Sequence, residues 1–371
     1  MATFTGTSGA DNFIGTNTAA DTFRFAASFL TNTDTVTGGL GTVSDILELT
    51  SAGDVSAADL AHVSGIETVR MFAGAAIDLT ALMATTSRTG TITVAGSSGD
   101  DTVYGYNISD PSNRLSFTAN SGDDIFVGGS GGDVVNISAN QLNARDIFSG
   151  GAGTDTLKLS SASILDATDL LNVFSFERIQ LADGSNSIAL SQAMVGSTTT
   201  GSLTVIGGTG NDTVDASAVT ATGSRVSFDG GAGDDTFVGG SGNDVIDAGT
   251  GDNEIIGGAG TDSITLSTDG VDTIHYNFLS ESGSRAGDTI RGATGLLDET
   301  DFFLAFNETE FSVNGALDTI VTDDGSSPIG PGGRSMVPTS FSMMRPPPAT
   351  TYAPRRRSTT TSLIVTMKHR A

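Results

Sequence analysis

The sequence predicts an all-β protein: a parallel β-solenoid in which short strands are joined by glycine-rich turns. Three observations support this fold class. The 371 residues include 49 Gly but no Trp or Cys, and only 6% are aromatic, which argues against a conventional globular core. Residues 230–265 are four nine-residue units in direct succession. Finally, a long segment of the chain occurs twice, and internal repetition on either scale is typical of solenoids.

The nine-residue unit is Gly-Gly-x-Gly-x-Asp-x-U-x, where U is a large apolar residue. Glycine at positions one, two and four allows positive φ angles and a tight bend. The last three residues favour a short strand whose middle side chain points inward. Each unit is therefore a turn plus a strand, and two units make one coil. Units begin at Gly230, Gly239, Ala248, Gly257, Gly128, Gly150 and Gly207, with looser copies at Gly6, Gly96 and Ala119.

The longer duplication aligns residues 91–135 with residues 202–246 without a gap. Upstream, residues 44–71 match residues 154–181 with a slip of one position, which pairs Asp45 with Asp155 and Glu67 with Glu177. Two copies of one module are therefore expected.

Segments 41–90 and 157–200 lack the nine-residue unit. Their runs DILEL, IETVRM, TLKLS and FERIQLA are consistent with strands, while SAADLAHV and DATDLLNVF suggest single helical turns at a coil corner. We expect the solenoid to continue through both segments as irregular coils. The alternative is that they form small separate caps.

The position-six carboxylates recur at intervals that predict stacking. Turns on one edge return after two units, so Asp244 is paired with Asp262, and Asp235 with the neutral Asn253. Elsewhere a short bulge lengthens the coil, and the predicted pairs are Asp101 with Asp124, Asp124 with Asp146, Asp133 with Asp155, and Asp212 with Asp235. The candidate metal ligands are Asp101, Asp124, Asp133, Asp146, Asp155, Asp212, Asp235, Asp244, Asn253 and Asp262. In the lengthened coils Leu115 and Val226 replace the Asp of the alternate turn.

Stacked carboxylates need a counter-charge. Parallel strands lie about 4.8 Å apart, so neighbouring carboxylates in a poorly solvated turn would repel one another. Calcium accepts about six to eight oxygen ligands and fits between two such turns, whereas magnesium requires a smaller octahedral shell. The absence of Cys and of paired His argues against zinc. The sequence therefore predicts Ca²⁺ as the cofactor, with metal binding coupled to folding.

These units resemble the RTX calcium-binding repeat, found in hemolysin-type proteins. The resemblance implies a right-handed parallel β-roll in which turn carbonyl oxygens and the position-six Asp hold Ca²⁺. It also implies type I secretion from a bacterial cell and an extracellular or cell-surface location. The duplicated module is similar to surface-layer and adhesin-like RTX proteins.

The expected organisation has five parts. Residues 1–33 form an N-terminal cap with a degenerate repeat, residues 34–149 the first RTX module and residues 150–265 the second. Residues 266–326 form a Phe-rich cap, for which an aromatic binding patch is the other interpretation. Residues 327–371 form a tail with 7 of the 17 basic side chains and no acidic one. That tail is expected to be disordered, and a frameshift near residue 326 would also produce it.

We expect no enzymatic activity. The sequence contains no His-Glu-x-x-His, no Gly-x-Ser-x-Gly and no phosphate-binding loop. The acidic body, with 43 acidic side chains against 17 basic ones in the whole chain, should repel nucleic acid. No stretch is long and apolar enough to span a membrane.

The preferred function is a secreted calcium-binding structural or surface-associated protein, with self-association and cell-surface polysaccharide as open partner classes. The alternative is the secretion and folding module of an RTX enzyme or toxin.

Overall fold

The structure, a computed structural model, describes residues 2–39, 43–267, 270 and 272–276. Beyond these it describes four backbone strands, Thr289–Gly292, Phe302–Leu304, Thr319–Val321 and Leu363–Met367. The rest of the predicted Phe-rich cap and of the basic tail lies outside the described residues.

One wall of the molecule is a single long parallel sheet. In the described part of the chain it has fifteen strands in sequence order. They are Thr3–Thr5, Thr22–Phe25, Ile46–Leu49, Thr68–Met71, Thr91–Ala95, Arg114–Thr118, Val134–Ile137, Thr156–Leu159, Arg178–Gln180, Ser202–Thr209, Arg225–Ala232, Val245–Asp247, Ser263–Leu266, Thr289–Gly292 and Thr319–Val321.

The opposite wall is divided among three shorter sheets in the described residues. The first contains Asn12–Ile14, Thr35–Thr37 and Val63–Ser64. The second contains Gly53–Val55, Ala75–Asp78, Thr102–Tyr104, Ile125–Val127, Ile147–Ser149 and Val173–Phe174. The third contains Ile164–Leu165, Ser187–Ala189, Thr213–Asp215, Thr236–Val238, Glu254–Ile256 and Thr273–Tyr276, followed by Leu363–Met367 and Phe302–Leu304.

Strands between Thr3 and Tyr276 pair with one another in parallel, always with a strand one coil away. Leu363–Met367 pairs antiparallel with Thr273–Tyr276 and Phe302–Leu304. In the successive nine-residue units Phe237 lies beside Ile255 and Ile246 beside Ile264, so alternate units fall on opposite walls. The predicted parallel β-solenoid is confirmed.

The core is a column of inward side chains that runs the length of the described solenoid. Along the long sheet it is one register row of buried residues, from Phe23 through Phe117 and Phe228 to Ile264. Rings also stack from wall to wall: Phe117 and Phe126 have centroids 5.8 Å apart, and Phe228 and Phe237 are 5.4 Å apart. The apolar U position of each unit therefore supplies the core.

The segments without nine-residue units continue the solenoid as coils, as the sequence predicts. One coil of each segment carries two short strands on the opposite wall, Gly53–Val55 and Val63–Ser64 in the first segment and Ile164–Leu165 and Val173–Phe174 in the second. In the first segment, Val63–Ser64 ends one short sheet and Gly53–Val55 begins the next. These coils therefore pass the chain from one short sheet to another.

Helical structure is sparse in the described residues. SAADLAHV forms hydrogen-bonded turns, including a Leu60 N–H to Ser56 carbonyl bond of 3.2 Å. A 3-10 helix covers Ala27–Phe29, and two short α-helices cover Ala81–Thr86 and Gln192–Gly196, which the sequence analysis did not predict. None of these helices has the length and apolar character needed to cross a bilayer.

Candidate metal centre

The position-six side chains stack along the two edges of the solenoid. We call the turns that lead from the long sheet to the opposite wall the first edge, and those that lead back the second edge. On both edges a backbone N–H donates to the Oδ1 of the residue one coil later. These bonds join Asp101 to Asp124 (2.9 Å), Asp124 to Asp146 (2.8 Å), Asp133 to Asp155 (2.6 Å), Asp212 to Asp235 (2.8 Å), Asp235 to Asn253 (2.9 Å) and Asp244 to Asp262 (2.8 Å). The structure thus brings together all six pairs that the spacing predicts.

Two of these ladders begin at the positions where the sequence lacks a carboxylate. The N–H of Leu115 donates to Asp133 Oδ1 at 2.7 Å, and the N–H of Val226 donates to Asp244 Oδ1 at 2.8 Å. Leu115 and Val226 therefore keep the backbone part of the ladder without adding a charge.

The second carboxylate oxygen, Oδ2, divides the turns into two classes. In closed turns it accepts an N–H from its own turn: Ser97 to Asp101 (2.5 Å), Gly129 to Asp133 (2.7 Å), Asn143 to Asp146 (2.9 Å) and Gly240 to Asp244 (3.1 Å). In open turns Oδ2 is buried and has no hydrogen-bond partner among the described residues. The open turns are those of Asp124, Asp155, Asp212 and Asp235.

The backbone at position four separates the two classes. In the open turns this glycine has a left-handed φ: +133° at Gly122, +140° at Gly153, +109° at Gly210 and +134° at Gly233. The corresponding Gly99, Gly131 and Gly242 of the closed turns lie outside that region. Only glycine adopts such φ values without strain, so the open conformation depends on it.

Burial removes the open Oδ2 atoms from water, and no hydrogen-bond donor reaches them from the described residues. The pKa values of Asp124, Asp155 and Asp235 are each raised to about 7, mainly by burial, and the stacked carboxylates raise them further. Burial also raises the pKa of Asp212. An acceptor that is buried and has no donor is costly, so these four oxygens are the strongest sign that an ion belongs in the site.

Turn carbonyl oxygens lie next to the bare carboxylate oxygens. At Gly230, a Cβ would lie 2.5 Å from Asp235 Oδ2 and would also meet the carbonyl oxygen of Ala248 in the next coil. At Gly150 a Cβ would likewise meet Asp155 Oδ2, at 2.8 Å, and the carbonyl of Ser175. In these two turns position one must therefore lack a side chain, because two oxygens of different coils occupy that side of the glycine.

In two first-edge turns an asparagine occupies position six. Asn253 Nδ2 donates to the carbonyls of Gly249 and Gly251, both at 3.4 Å, and to Asp272 Oδ1 at 2.8 Å. Asn186 Nδ2 donates to the carbonyls of Ala182 and Gly184, both at 2.8 Å, and to Asp212 Oδ1 at 2.7 Å. Both amides thus bind turn carbonyls and the carboxylate of the following coil.

The donor set fits calcium. No three His, Cys, Asp or Glu side chains gather into one group within the described chain. An ion would therefore be held by at most two carboxylates, and backbone carbonyls would complete its shell, which suits the oxygen-rich coordination of Ca²⁺. Asp124, Asp155, Asp212 and Asp235, each with the turn of the following coil, are the residues that would hold it. Ligation by the ten predicted residues stays a prediction.

Several buried carboxylates of the same ladders were not predicted as site residues: Asp21, Asp34, Asp45, Glu67 and Asp272. The half-buried Glu177 was not predicted either. Asp45 belongs to a closed turn, because its oxygens accept the N–H groups of Asp21 and Gly39, both at 2.7 Å. Glu177 accepts the N–H of Asp155 at 3.0 Å. The signal that could have found Glu177 is its place in the duplication, opposite Glu67.

A family model described as RTX calcium-binding nonapeptide repeat (4 copies) matches residues 93–107, 116–135, 143–158, 204–218 and 229–264. The matched segments contain all four open turns and the turn of Asn253, whereas the turn of Asn186 lies outside them. Among curated proteins, none matches the chain significantly.

Proposed function

Because the chain carries RTX calcium-binding nonapeptide repeats, which are typical of secreted proteins, we propose that it is a secreted structural protein that completes its fold on binding Ca²⁺. We further propose a surface-layer or adhesin-like role outside the cell. The single observation that carries the calcium part is that the buried Oδ2 atoms of Asp124, Asp155, Asp212 and Asp235 have no donor within the described part of the chain.

The proposed coupling follows from the open turns. Without a cation, each open turn holds a buried carboxylate close to the carboxylate or amide of the next coil, and its position-four glycine is in a left-handed conformation that costs chain entropy. A bound cation would neutralise the carboxylate and join two coils. Binding energy then becomes folding energy, as in other metal-dependent folds.

The surface role is supported by the outer face of the long sheet. Hydroxyl side chains recur there in register on neighbouring strands, including Thr68, Thr93 and Ser116 in one stretch and Thr204 and Ser227 in another. A flat row of hydroxyl groups can hydrogen-bond to polysaccharide or to a second copy of the chain. The proposal assigns no catalytic role to the repeats.

Calcium titration tests the folding part. In chelator the far-ultraviolet circular dichroism should show reduced β signal, and Ca²⁺ should restore it with a midpoint of roughly 0.1–1 mM, the range of extracellular modules. Mg²⁺ at equal ionic strength is the control and should be much less effective. The same β signal and the same thermal midpoint in chelator, Ca²⁺ and Mg²⁺ would contradict the proposal.

A further inference from the structure

We propose that the side-chain amides of Asn186 and Asn253 replace the cation in their turns, so that the first edge of the second module takes two ions between two amide-held turns. This inference rests on the proposed calcium function, because it states which stacked turns take an ion. It also changes the role of Asn253, which the spacing predicted to be a neutral metal ligand.

The turns of Asp235 and Asn253 have the same backbone conformation. The position-two glycines, Gly231 and Gly249, have φ of +86° and +75°. The position-four glycines, Gly233 and Gly251, have φ of +134° and +121°. Neighbouring residues of the two turns also pair in parallel, Ala232 with Thr250. Asp235 and Asn253 can therefore be compared atom by atom.

The Oδ1 atoms of Asp235 and Asn253 accept equivalent hydrogen bonds. Asp235 Oδ1 accepts the N–H of Asp212 at 2.8 Å, and Asn253 Oδ1 accepts the N–H of Asp235 at 2.9 Å. This bond fixes the orientation of the amide, because only an oxygen can accept there. The Nδ2 of Asn253 consequently occupies the place that the bare Oδ2 takes in Asp235.

The groups that surround the position of Asn253 Nδ2 are all hydrogen-bond acceptors. Asn253 Nδ2 meets two carbonyls of its own turn and the carboxylate of Asp272 in the next coil. Asn186 Nδ2 meets the equivalent set, two carbonyls and the carboxylate of Asp212. A group that donates to three acceptors takes the role of a small cation. In the turns of Asp235 and Asp212 a carboxylate oxygen takes the place of this amide nitrogen, so only hydrogen-bond acceptors face one another. An ion is required between them.

The order of the turns follows directly. Along the first edge of the second module the position-six residues are Asn186, Asp212, Asp235, Asn253 and Asp272, each joined to the next by a backbone N–H bond. The amide of Asn186 closes the step to Asp212, and the amide of Asn253 closes the step to Asp272. The two steps between them, which begin at Asp212 and at Asp235, are left for ions.

The first test converts an ion-binding turn into an amide-held turn. Asp235→Asn should reduce the number of Ca²⁺ bound per chain by one, measured by equilibrium dialysis. In chelator the same change should raise the thermal midpoint, by roughly 2–4 °C, because the amide can bind the carbonyls of Gly231 and Gly233. The matched control is Asp234→Asn, an exposed neighbour at position five, which should alter neither quantity.

The reverse substitution checks the result in the opposite direction. Asn253→Asp should add one bound Ca²⁺ per chain and lower the thermal midpoint in chelator. Its control is Asn243→Asp, which introduces the same charge at an exposed position five.

The inference is overturned if Asp235→Asn lowers the midpoint in chelator, or if Asn253→Asp leaves the stoichiometry unchanged. A wild-type chain that binds no Ca²⁺ would defeat the proposed function instead. In that case the midpoints of Asp235→Asn and Asn253→Asp in chelator still decide whether the amides hold the turns.

Discussion

Asp133 and Asp155 lie one coil apart on the same edge, and both are buried, yet their Oδ2 atoms differ in hydrogen bonding. Asp133 Oδ2 accepts the N–H of Gly129, whereas Asp155 Oδ2 has no hydrogen-bond partner among the described residues. A desolvated oxygen without a donor costs about 1–3 kcal/mol or more when charged. One hydrogen bond to Oδ2 therefore decides whether a turn satisfies its buried carboxylate without a cation.

The calcium-free chain should lose stability as the pH rises from about 4 to about 7. The pKa values of Asp124, Asp155 and Asp235 are raised to about 7 in the folded chain, so the folded state holds more protons than the unfolded state across this window. Protonation removes the buried charge and offers a donor to the turn carbonyls. Thermal midpoints of the calcium-depleted chain at pH 5 and pH 7.5 measure the effect.

With saturating Ca²⁺ the thermal midpoint should instead be higher at pH 7.5 than at pH 5, because protons compete with the ion for the same oxygens. The control is the triple variant Asp124→Asn, Asp155→Asn and Asp235→Asn, in which the calcium-free midpoint should vary less with pH. Burial raises the pKa of Asp133 and of Asp244 to about 6, so these two carboxylates keep part of the dependence. A calcium-free midpoint that increases between pH 5 and pH 7.5 would show that these carboxylates do not titrate as stated.

The open and closed classes could not be predicted from the nine-residue pattern, since complete units with glycine at positions one, two and four occur in both classes. The closed turns at 128–133 and 239–244 stack on irregular turns of the preceding coil. Ser130 N–H donates to the carbonyl of Ile108 in one of these irregular turns, and Ser241 N–H donates to the carbonyl of Val219 in the other. The open turn at 150–155 instead stacks on a regular turn, where Ala152 N–H donates to Gly129. The neighbouring coil, which lies at a distance in sequence, selects the conformation.

At the scale of single elements, the glycine-rich turn restricts the choice of residue more than the strand does. Gly233→Ala should destabilise the calcium-bound chain by about 1–3 kcal/mol, because φ is +134° and the new Cβ would meet the carbonyl of Gly210. Gly223→Ala is the matched control: its φ lies outside the left-handed region and its Cβ would meet no atom within 4 Å. Urea unfolding in Ca²⁺ measures both, and equal losses would show that the left-handed turn is not the cause.

The strands were predictable from sequence and the helices were not. Alternation in TLKLS and FERIQLA anticipates Thr156–Leu159 and Arg178–Gln180. By contrast, Ala81–Thr86 and Gln192–Gly196 are shorter than two helical turns, too short for the apolar period of a helix to show. Their capping residues, Thr80 and Ser191, are hydroxyl side chains of a kind that also abounds in the turns of this chain.

Over the whole molecule, the two copies of the module share one long sheet and one core. The inner row of the long sheet passes from Val135 through Leu157 to Ile179 without a break at the predicted boundary between residues 149 and 150. The same element order returns in the second copy, with Thr91–Ala95 corresponding to Ser202–Thr209. The module boundaries themselves stay a prediction, because a repeat in sequence need not be a unit that folds alone.

Changes in chain length should be tolerated only in whole coils. Deletion of residues 236–253 joins Asp235 to Glu254, and Glu254 is the register partner of Thr236, so the later strands keep their walls. This variant should still unfold cooperatively in Ca²⁺ by circular dichroism. Deletion of residues 236–244 joins Asp235 to Val245, a strand of the long sheet, and should abolish cooperative unfolding. Similar melting curves for the two deletions would argue against strict alternation of walls.

The ladder bonds all run in one direction, from the N–H of one coil to the carboxylate of the next. A chain cut between two coils would therefore leave unlike surfaces on its two pieces. At position six the N-terminal piece would end in unmatched N–H donors, and the C-terminal piece would begin with unmatched carboxylates. At position five the direction is opposite, as in the bond from the Asp123 N–H to Asp100 Oδ1. The two cut faces are chemical complements of each other, so separated fragments are suited to rejoin with the right partner and in the right orientation.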